Sequence, residues 1–126
     1  MPLSGLNILV VEDEYLIALD AEHMLRGAGA SDVVICSHSE FAETLRSRKF
    51  DIALVDTGPD TSHVEADIAL ARQAGARIAF TTSDIELVAG MAGHEGVRFI
   101  AKPYDDRHLN ALVEIVRDNR NETAGG

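Results

Sequence analysis

The sequence is poor in cysteine and in aromatic residues. It contains a single cysteine and no tryptophan, and only 5% of its 126 residues are aromatic. One cysteine cannot build an internal disulfide or a zinc site of several thiolates, which excludes a disulfide-stapled secreted domain. We therefore expect a cytoplasmic protein. Aliphatic side chains and alanine must fill its core, and a hydrophobic fraction of 46% is sufficient for that.

Long apolar runs and positive charge are also scarce. No stretch approaches the ~18 apolar residues of a membrane-spanning helix. The N-terminus lacks the basic and apolar regions of a signal peptide. Against 21 acidic residues there are 11 Lys and Arg, which gives a net charge of −10. The short apolar runs predict that the chain does not insert into a membrane. Because such an acidic surface repels phosphates, the sequence also predicts no direct binding of nucleic acid.

Five short apolar runs alternate with longer charged, alanine-rich segments. The runs cover residues 6–11, 33–36, 52–55, 77–80 and 97–100. Each run is rich in β-branched residues and too short for a helix, so each predicts a strand that is buried on both faces. Strands that alternate with helices predict a parallel sheet with right-handed crossovers and helices on both faces. The sequence thus predicts a doubly wound α/β fold, (βα)5, in one domain over residues 1–126, with a core of about 6–120 and a frayed tail at 121–126.

The segments between the runs carry helix signals. Apolar residues share one helix face at positions 64, 68 and 71, and again at 109, 112, 113 and 116. Gly29 and Gly75 stand where the first and third helices should end. Three Ser-x-x-Glu sequences predict capping boxes at helix starts. They begin at Ser37, Ser62 and Ser83.

Polar side chains stand at the carboxyl ends of four predicted strands. Glu12 and Asp13 follow the first strand, Asp56 ends the third, Thr82 ends the fourth and Lys102 ends the fifth. In doubly wound sheets ligands bind at this edge, so we expect the five side chains to converge. Three crowded carboxylates repel one another and call for a cation, and hard oxygen ligands favour Mg²⁺. An ammonium group and a hydroxyl beside them would hold the oxygens of a phosphoryl group.

Taken in order, four segments resemble the receiver domains of two-component response regulators. These segments are residues 8–14, 52–56, 78–82 and 101–104. Each motif is common alone, but here each stands at the end of its own strand, and the resemblance spans nearly the whole chain. It implies a flavodoxin-like receiver fold with a five-stranded parallel sheet and Mg²⁺ as cofactor.

The resemblance also implies a role for each strand-end residue. Asp56 matches the aspartate that takes a phosphoryl group from a kinase phosphohistidine. Lys102 matches the lysine that pairs with the acceptor and with the phosphoryl oxygens. Glu12 and Asp13 match the acidic pair that holds Mg²⁺, with Asp13 as the direct ligand. The backbone carbonyl of Gly58 matches the third protein ligand of the ion.

Two further residues match the switch of the family. Thr82 matches the hydroxyl that moves toward the phosphoryl group, and Phe99 takes the aromatic switch position. We expect the movement to reach a surface of the fourth helix, fifth strand and fifth helix, where a downstream protein or a second copy of the chain would bind. The implied phosphoryl donor is a histidine kinase or a phosphotransfer protein. The chain would catalyse only its own phosphorylation and dephosphorylation, without acting as an enzyme on a separate substrate.

The loop after Asp56 departs from the family pattern, which leaves an alternative open. Pro59 lies three residues after the acceptor, where the family often has proline four residues on, and Asp84 adds a negative charge after the switch threonine. The alternative hypothesis is a degenerate receiver, which docks proteins without being phosphorylated. An aspartyl phosphatase would need a second aspartate where Gly58 stands.

The five histidines show no His-x-His or His-x-x-x-His spacing, so we expect no zinc site and a solvated loop position for His63.

Overall fold

The computed structural model describes residues 2–58, 61–82, 98–101 and 112–115. Within these residues the strands are β1 (Asn7–Val11), β2 (Asp32–Cys36), β3 (Ile52–Asp56), β4 (Arg77–Thr82) and β5 (Arg98–Ala101). The helices are α1 (Tyr15–Gly27), α2 (Phe41–Ser47) and α3 (Val64–Gln73), with a short 3-10 helix (His38–Glu40) before α2. Residues 112–115 are also helical. No helix in this part of the chain is long and apolar enough to cross a membrane.

The strands form one parallel sheet in the order β2-β1-β3-β4-β5. The chain moves from β1 to β2 in one direction and then returns to the other side of β1 with β3. The order therefore reverses at β1, which leaves a crevice between the carboxyl ends of β1 and β3. This arrangement confirms the predicted doubly wound parallel sheet. The domain boundaries stay a prediction.

Alternating side chains of the strands bury both faces of the sheet. One apolar cluster joins strand residues to α1 and to residues 112–115, and it includes Ile8, Val10, Leu54, Leu25 and Leu112. The second cluster joins the opposite strand positions to α2 and α3, and it includes Leu9, Val55, Phe41, Val64 and Ile68. From residue 8 to residue 11 every side chain of β1 is at most 1% exposed. Burial on both faces explains why the strands are continuous apolar runs without polar alternation.

The helix ends follow the sequence signals in part. Gly29 and Gly75 follow the last residues of α1 and α3 at positive φ, as predicted. The capping box of Ser37 forms at the 3-10 helix. At the third helix, α3 begins at Val64 with His63 as its N-cap, one residue later than the predicted cap Ser62, and His63 makes no side-chain cap bond. The box of Ser62 stays a prediction. The third box and residues 109 and 116 lie outside the described residues.

A local turn explains the different start of α3. The Val64 N–H donates to the carbonyl of Thr61 at 3.2 Å, which closes a tight turn before the helix. The imidazole of His63 then contacts the carboxylate of Asp67 one helical turn further on. The first turn of α3 is thus held by the side chain of His63, and Ser62 remains exposed in the turn.

Gly75 and Gly27 offer a matched test of backbone conformation. Gly75 has φ of +77°, whereas Gly27 is the last helical residue of α1, and an added Cβ would meet no atom within 4 Å at either position. We expect Gly75→Ala to lower the free energy of unfolding by ~1 kcal/mol, because an L side chain is strained at positive φ. Gly27→Ala should raise it by up to ~1 kcal/mol through helix propensity. Urea unfolding of both variants measures the difference, and equal effects would contradict the assigned backbone conformations.

Candidate functional site

A cleft lies at the carboxyl ends of β1 and β3, where the strand order reverses. Its volume is about 170 Å³. The lining residues are Val11, Asp13, His38, Asp56, Thr57, Gly58 and His63. Three of the residues predicted for the cation site, Asp13, Asp56 and Gly58, therefore share one cleft. All three offer oxygen ligands, two from carboxylates and one from the backbone.

Asp13 is held in place by the backbone of the segment that follows β2. One oxygen of its carboxylate accepts the N–H of His38 at 2.9 Å. This bond fixes the side chain over the cleft and leaves the second carboxylate oxygen for a cation. Carboxylates that accept backbone N–H groups are oriented before any ion arrives, which lowers the cost of ordering them on binding.

Glu12 is placed differently from its neighbour in sequence. It is only 5% exposed, and its side chain accepts the N–H of Glu14 at 3.3 Å. Its own N–H donates to the carbonyl of Cys36 at 3.1 Å and so extends the pairing of β1 with β2. Glu12 is not one of the described residues that line the cleft. Within the predicted acidic pair, the structure assigns Asp13 to the cleft and Glu12 to the turn after β1.

Asp56 ends β3 beside two threonines of β4. It pairs in register with Thr81, and the N–H of Thr57 donates to the Thr81 carbonyl at 3.0 Å. Thr82, the predicted switch hydroxyl, is the next residue and is 2% exposed. Because side chains alternate along a strand, Thr81 shares its face with Asp56 and Thr82 points to the opposite face. The role of Thr82 stays a prediction.

The two remaining predicted residues lie at β5. Phe99 pairs in register with Phe80, in the strand next to Thr82. The position of its ring is not part of the described structure, and Lys102 lies outside the described residues. Both roles therefore stay predictions.

The loop after Asp56 is shaped by Thr57 and Gly58. Gly58 has φ of +62°, a conformation that glycine adopts without strain. The hydroxyl of Thr57 donates to the carbonyls of Gly58 and Thr81, at 3.0 and 3.3 Å. The two residues that directly follow β3 thus have a small side chain or none. Asp56 itself is half-buried.

Two histidines and a buried aspartate meet at the wall of the cleft. Nε2 of His38 lies 2.9 Å from one carboxylate oxygen of Asp67, and Nδ1 of His63 contacts the same oxygen. Nε2 of His63 lies 2.9 Å from the carbonyl of Thr57. The expectation that His63 is a solvated loop residue is therefore wrong, since its side chain is only 22% exposed. The spacing of histidines along the sequence did not reveal this cluster. His38 follows β2 and His63 follows β3, so the fold alone brings them together.

Burial also affects the protonation state of the single cysteine. Cys36 ends β2 and is 7% exposed. Burial raises the pKa of its thiol, which the nearby Thr44 hydroxyl partly offsets. The thiol therefore stays protonated at neutral pH and packs as a small apolar side chain.

Thr81 and Thr57 allow a paired test of the hydrogen bonds at the cleft. The Thr81 hydroxyl is buried and has no hydrogen-bond partner among the described residues. We expect Thr81→Val to raise the free energy of unfolding by ~1 kcal/mol, because it removes an unsatisfied polar group without changing the shape. Thr57→Val should lower it by about the same amount, because it removes a bonded hydroxyl. Thermal unfolding compares the two, and a destabilised Thr81→Val would reveal a partner for that hydroxyl.

The chain is similar in structure to several solved proteins, although no family model and no curated protein matches its sequence. A response regulator receiver protein from Sinorhizobium medicae WSM419 is 23% identical, with a TM-score of 0.72 over 91% of this chain and 97% of that one. A response regulator from Thermotoga maritima is 22% identical, with a TM-score of 0.66 over 88% and 97%. The anti-anti-sigma factor PhyR from Bartonella quintana is 20% identical, with a TM-score of 0.73. That match covers 95% of this chain and 53% of PhyR.

The similarity to these neighbours is one of fold. Parallel strands, alternating helices and a reversal of order at β1 are all present in this chain. The similarity extends over most of the chain and over nearly the full length of two of the three neighbours. The chain has the fold of a response-regulator receiver domain.

Proposed function

We propose that this protein is a phosphorylation-controlled receiver module of a two-component signalling system, with Asp56 as the phosphoryl acceptor. The observation that carries the proposal is the position of Asp56 at the carboxyl end of β3, in one cleft with Asp13 and Gly58. The cleft lies at the reversal of strand order, where α/β sheets of this kind bind ligands. The receiver fold supports the same function.

The proposed reaction needs one nucleophile and a leaving group that comes from the donor protein. A carboxylate oxygen of Asp56 forms a bond to phosphorus while the bond between phosphorus and a histidine nitrogen of the donor breaks. The imidazole leaves with that electron pair. Asp56 is half-buried at the mouth of the cleft, so a donor side chain can reach it from solvent. By resemblance, Lys102 and Thr82 would bind the oxygens of the transferred group.

The donor set of the cleft fits Mg²⁺. Asp13, Asp56 and the Gly58 carbonyl offer only oxygen, which a small hard cation prefers, and such an ion keeps several waters of its own. Asp13 is already oriented by the His38 N–H. When bound, Mg²⁺ would supply positive charge against the crowded carboxylates and the phosphoryl oxygens. Glu12 would support this site indirectly, because its side chain accepts the Glu14 N–H and holds the turn after β1.

The proposed output is a change in protein binding. The net charge of −10 disfavours nucleic acid and suits a partner with basic patches. Among the similar structures are proteins described as an anti-anti-sigma factor and as a stress response regulator. We assign to this chain a cytoplasmic role with a histidine kinase or phosphotransfer protein on one side and a downstream protein on the other. A surface of the fourth helix, β5 and the fifth helix would carry the switch.

Docking without phosphorylation is the competing function, and the loop after Asp56 favours it. His63 ties this loop to Thr57 and to Asp67, which limits its freedom to rearrange around a phosphoryl group. The two functions differ in one measurable property, the ability of Asp56 to take up phosphate.

Phosphoryl uptake tests the acceptor directly. After incubation with acetyl phosphate and Mg²⁺, intact mass should show one added phosphoryl group on the parent protein and none on Asp56→Asn. Asp51→Asn is a matched control, because Asp51 precedes the same strand at its opposite end, and an asparagine oxygen can still accept the N–H of Asn7. Stoichiometric labelling of Asp56→Asn would reject the assignment. A folded parent that takes up no phosphate would favour the docking function.

Mg²⁺ binding tests the role of Asp13. Mg²⁺ at ~100 times its dissociation constant should stabilise the parent by about 2.7 kcal/mol, seen as a rise in Tm. We expect Asp13→Asn to lose most of this rise, since it removes a charge but keeps an oxygen for the His38 N–H. Asp20→Asn, an exposed acid on α1, should keep the rise. Equal responses of the two variants would show that Asp13 is not a ligand.

A further inference from the structure

His38, His63 and Asp67 form a compact cluster that the proposed phosphoryl chemistry does not use. One ligand atom from each of the three lies within 4.8 Å of the others. His38 belongs to the 3-10 helix after β2, His63 is the N-cap of α3, and Asp67 lies in the first turn of α3. The Asp67 side chain is only 6% exposed, and those of His38 and His63 are 35% and 22% exposed. A buried carboxylate with two imidazoles on one oxygen needs a physical explanation.

The hydrogen-bond partners of His63 define which nitrogen carries its proton. Nε2 lies 2.9 Å from the Thr57 carbonyl, and a carbonyl can only accept, so Nε2 is the N–H donor. In a neutral imidazole Nδ1 then has a lone pair, and this lone pair points at the carboxylate of Asp67. Two lone pairs repel unless a cation lies between them. The cation is either a proton or a metal ion.

We propose that His38, His63 and Asp67 form a binding site for a divalent transition-metal ion of the Zn²⁺ type. Two imidazoles and one carboxylate are ligands that such ions bind strongly, whereas Mg²⁺ prefers oxygen alone. Without a metal ion, His38 donates its Nε2 proton to Asp67, and His63 must carry a second ring proton to make its own contact with the same oxygen. A single metal ion would replace both protons, because it accepts a lone pair from each imidazole and from the carboxylate. Ligand atoms about 2 Å from a shared ion lie ~3–4 Å apart, which the observed cluster reaches with a small opening.

The surroundings of the cluster match those of metal-binding histidines. A ligating histidine usually donates its other N–H to a backbone carbonyl or a carboxylate, which fixes the ring and its tautomer. The bond from His63 to the Thr57 carbonyl has this form. Both imidazoles line the cleft, so three protein ligands would leave a coordination position facing it. An ion there would lie beside the oxygen ligands of the cleft but use none of them.

The site would connect two segments that border the acceptor. His38 contributes its imidazole to the cluster and its backbone N–H to Asp13. His63 ends the loop that begins with Thr57 and Gly58. A bound ion would hold the junction of β2 and α2 against the loop after Asp56, and it would stabilise the folded state by mass action. This inference is independent of phosphorylation, since none of its ligands is the acceptor or its predicted partners.

Zinc binding to the whole chain tests the proposal. Competition with a chromophoric zinc chelator, in excess Mg²⁺, should show one Zn²⁺ per chain, together with a rise in Tm. His63→Gln and His38→Gln should each weaken binding at least tenfold. His23→Gln is the matched control, because His23 is an exposed histidine on α1 and should keep full affinity. Asp56→Asn should also keep it, which separates this site from the oxygen ligands of the cleft.

Three results would overturn the proposal. The first is a parent that binds no Zn²⁺ more tightly than ~10 μM, which would make the cluster a hydrogen-bonded network around a proton. The second is unchanged affinity in His38→Gln, a variant that should fold because the side chain is partly exposed and the Asp13 bond uses only the backbone. The third is loss of binding in Asp56→Asn but not in His63→Gln. Acetyl phosphate labelling of Asp56 is scored separately, so failure here leaves the phosphoryl-acceptor assignment intact.

Discussion

The burial of β1 on both faces between β2 and β3 is the constraint on which the site depends. The side chains of β1 from Ile8 to Val11 are at most 1% exposed, because apolar clusters pack on both faces of the strand. In the sheet, β2 and β3 pair with β1 on opposite sides. Their connections leave in opposite directions, and the crevice between them is the cleft. Asp13 and Asp56 meet because they directly follow these two central strands.

Backbone N–H groups orient two carboxylates in the described part of the chain that follows β1. Asp13 accepts the His38 N–H, and Glu12 accepts the Glu14 N–H. These donors lie in the segments that directly follow β1 and β2, so the pairing of the two strands brings them to the acids. Carboxylates held in this way are oriented toward one edge of the sheet, which suits the cation site proposed above. The donors are uncharged, which preserves the negative potential of the cleft.

The sequence predicted the elements that depend on local patterns and missed contacts between distant segments. Strands buried on both faces are continuous apolar runs, and glycine at positive φ marks the ends of α1 and α3, so both were predicted correctly. The convergence of Asp13 and Asp56 followed from the rule on strand ends, whereas Gly58 was expected there only from the resemblance to receiver domains. The start of α3 was placed one residue too early, because the sequence could not show that Thr61 and Val64 close a turn before the helix. The meeting of His38 with His63 and Asp67 could have been predicted only by placing the segments after β2 and β3 on the same face of the sheet.

The segment after Asp56 and the histidine cluster are joined by hydrogen bonds. The loop departs from the family pattern at Pro59, and the residues that hold its ends are Thr57, bonded to the Thr81 carbonyl, and His63, bonded to the Thr57 carbonyl. A loop tied at both ends keeps Gly58 at the cleft without the usual proline spacing. The same ties orient the imidazole of His63 toward Asp67. Imidazole nitrogens and oxygen donors thus border one cleft on separate elements, so the two proposed sites would distinguish ions by ligand type.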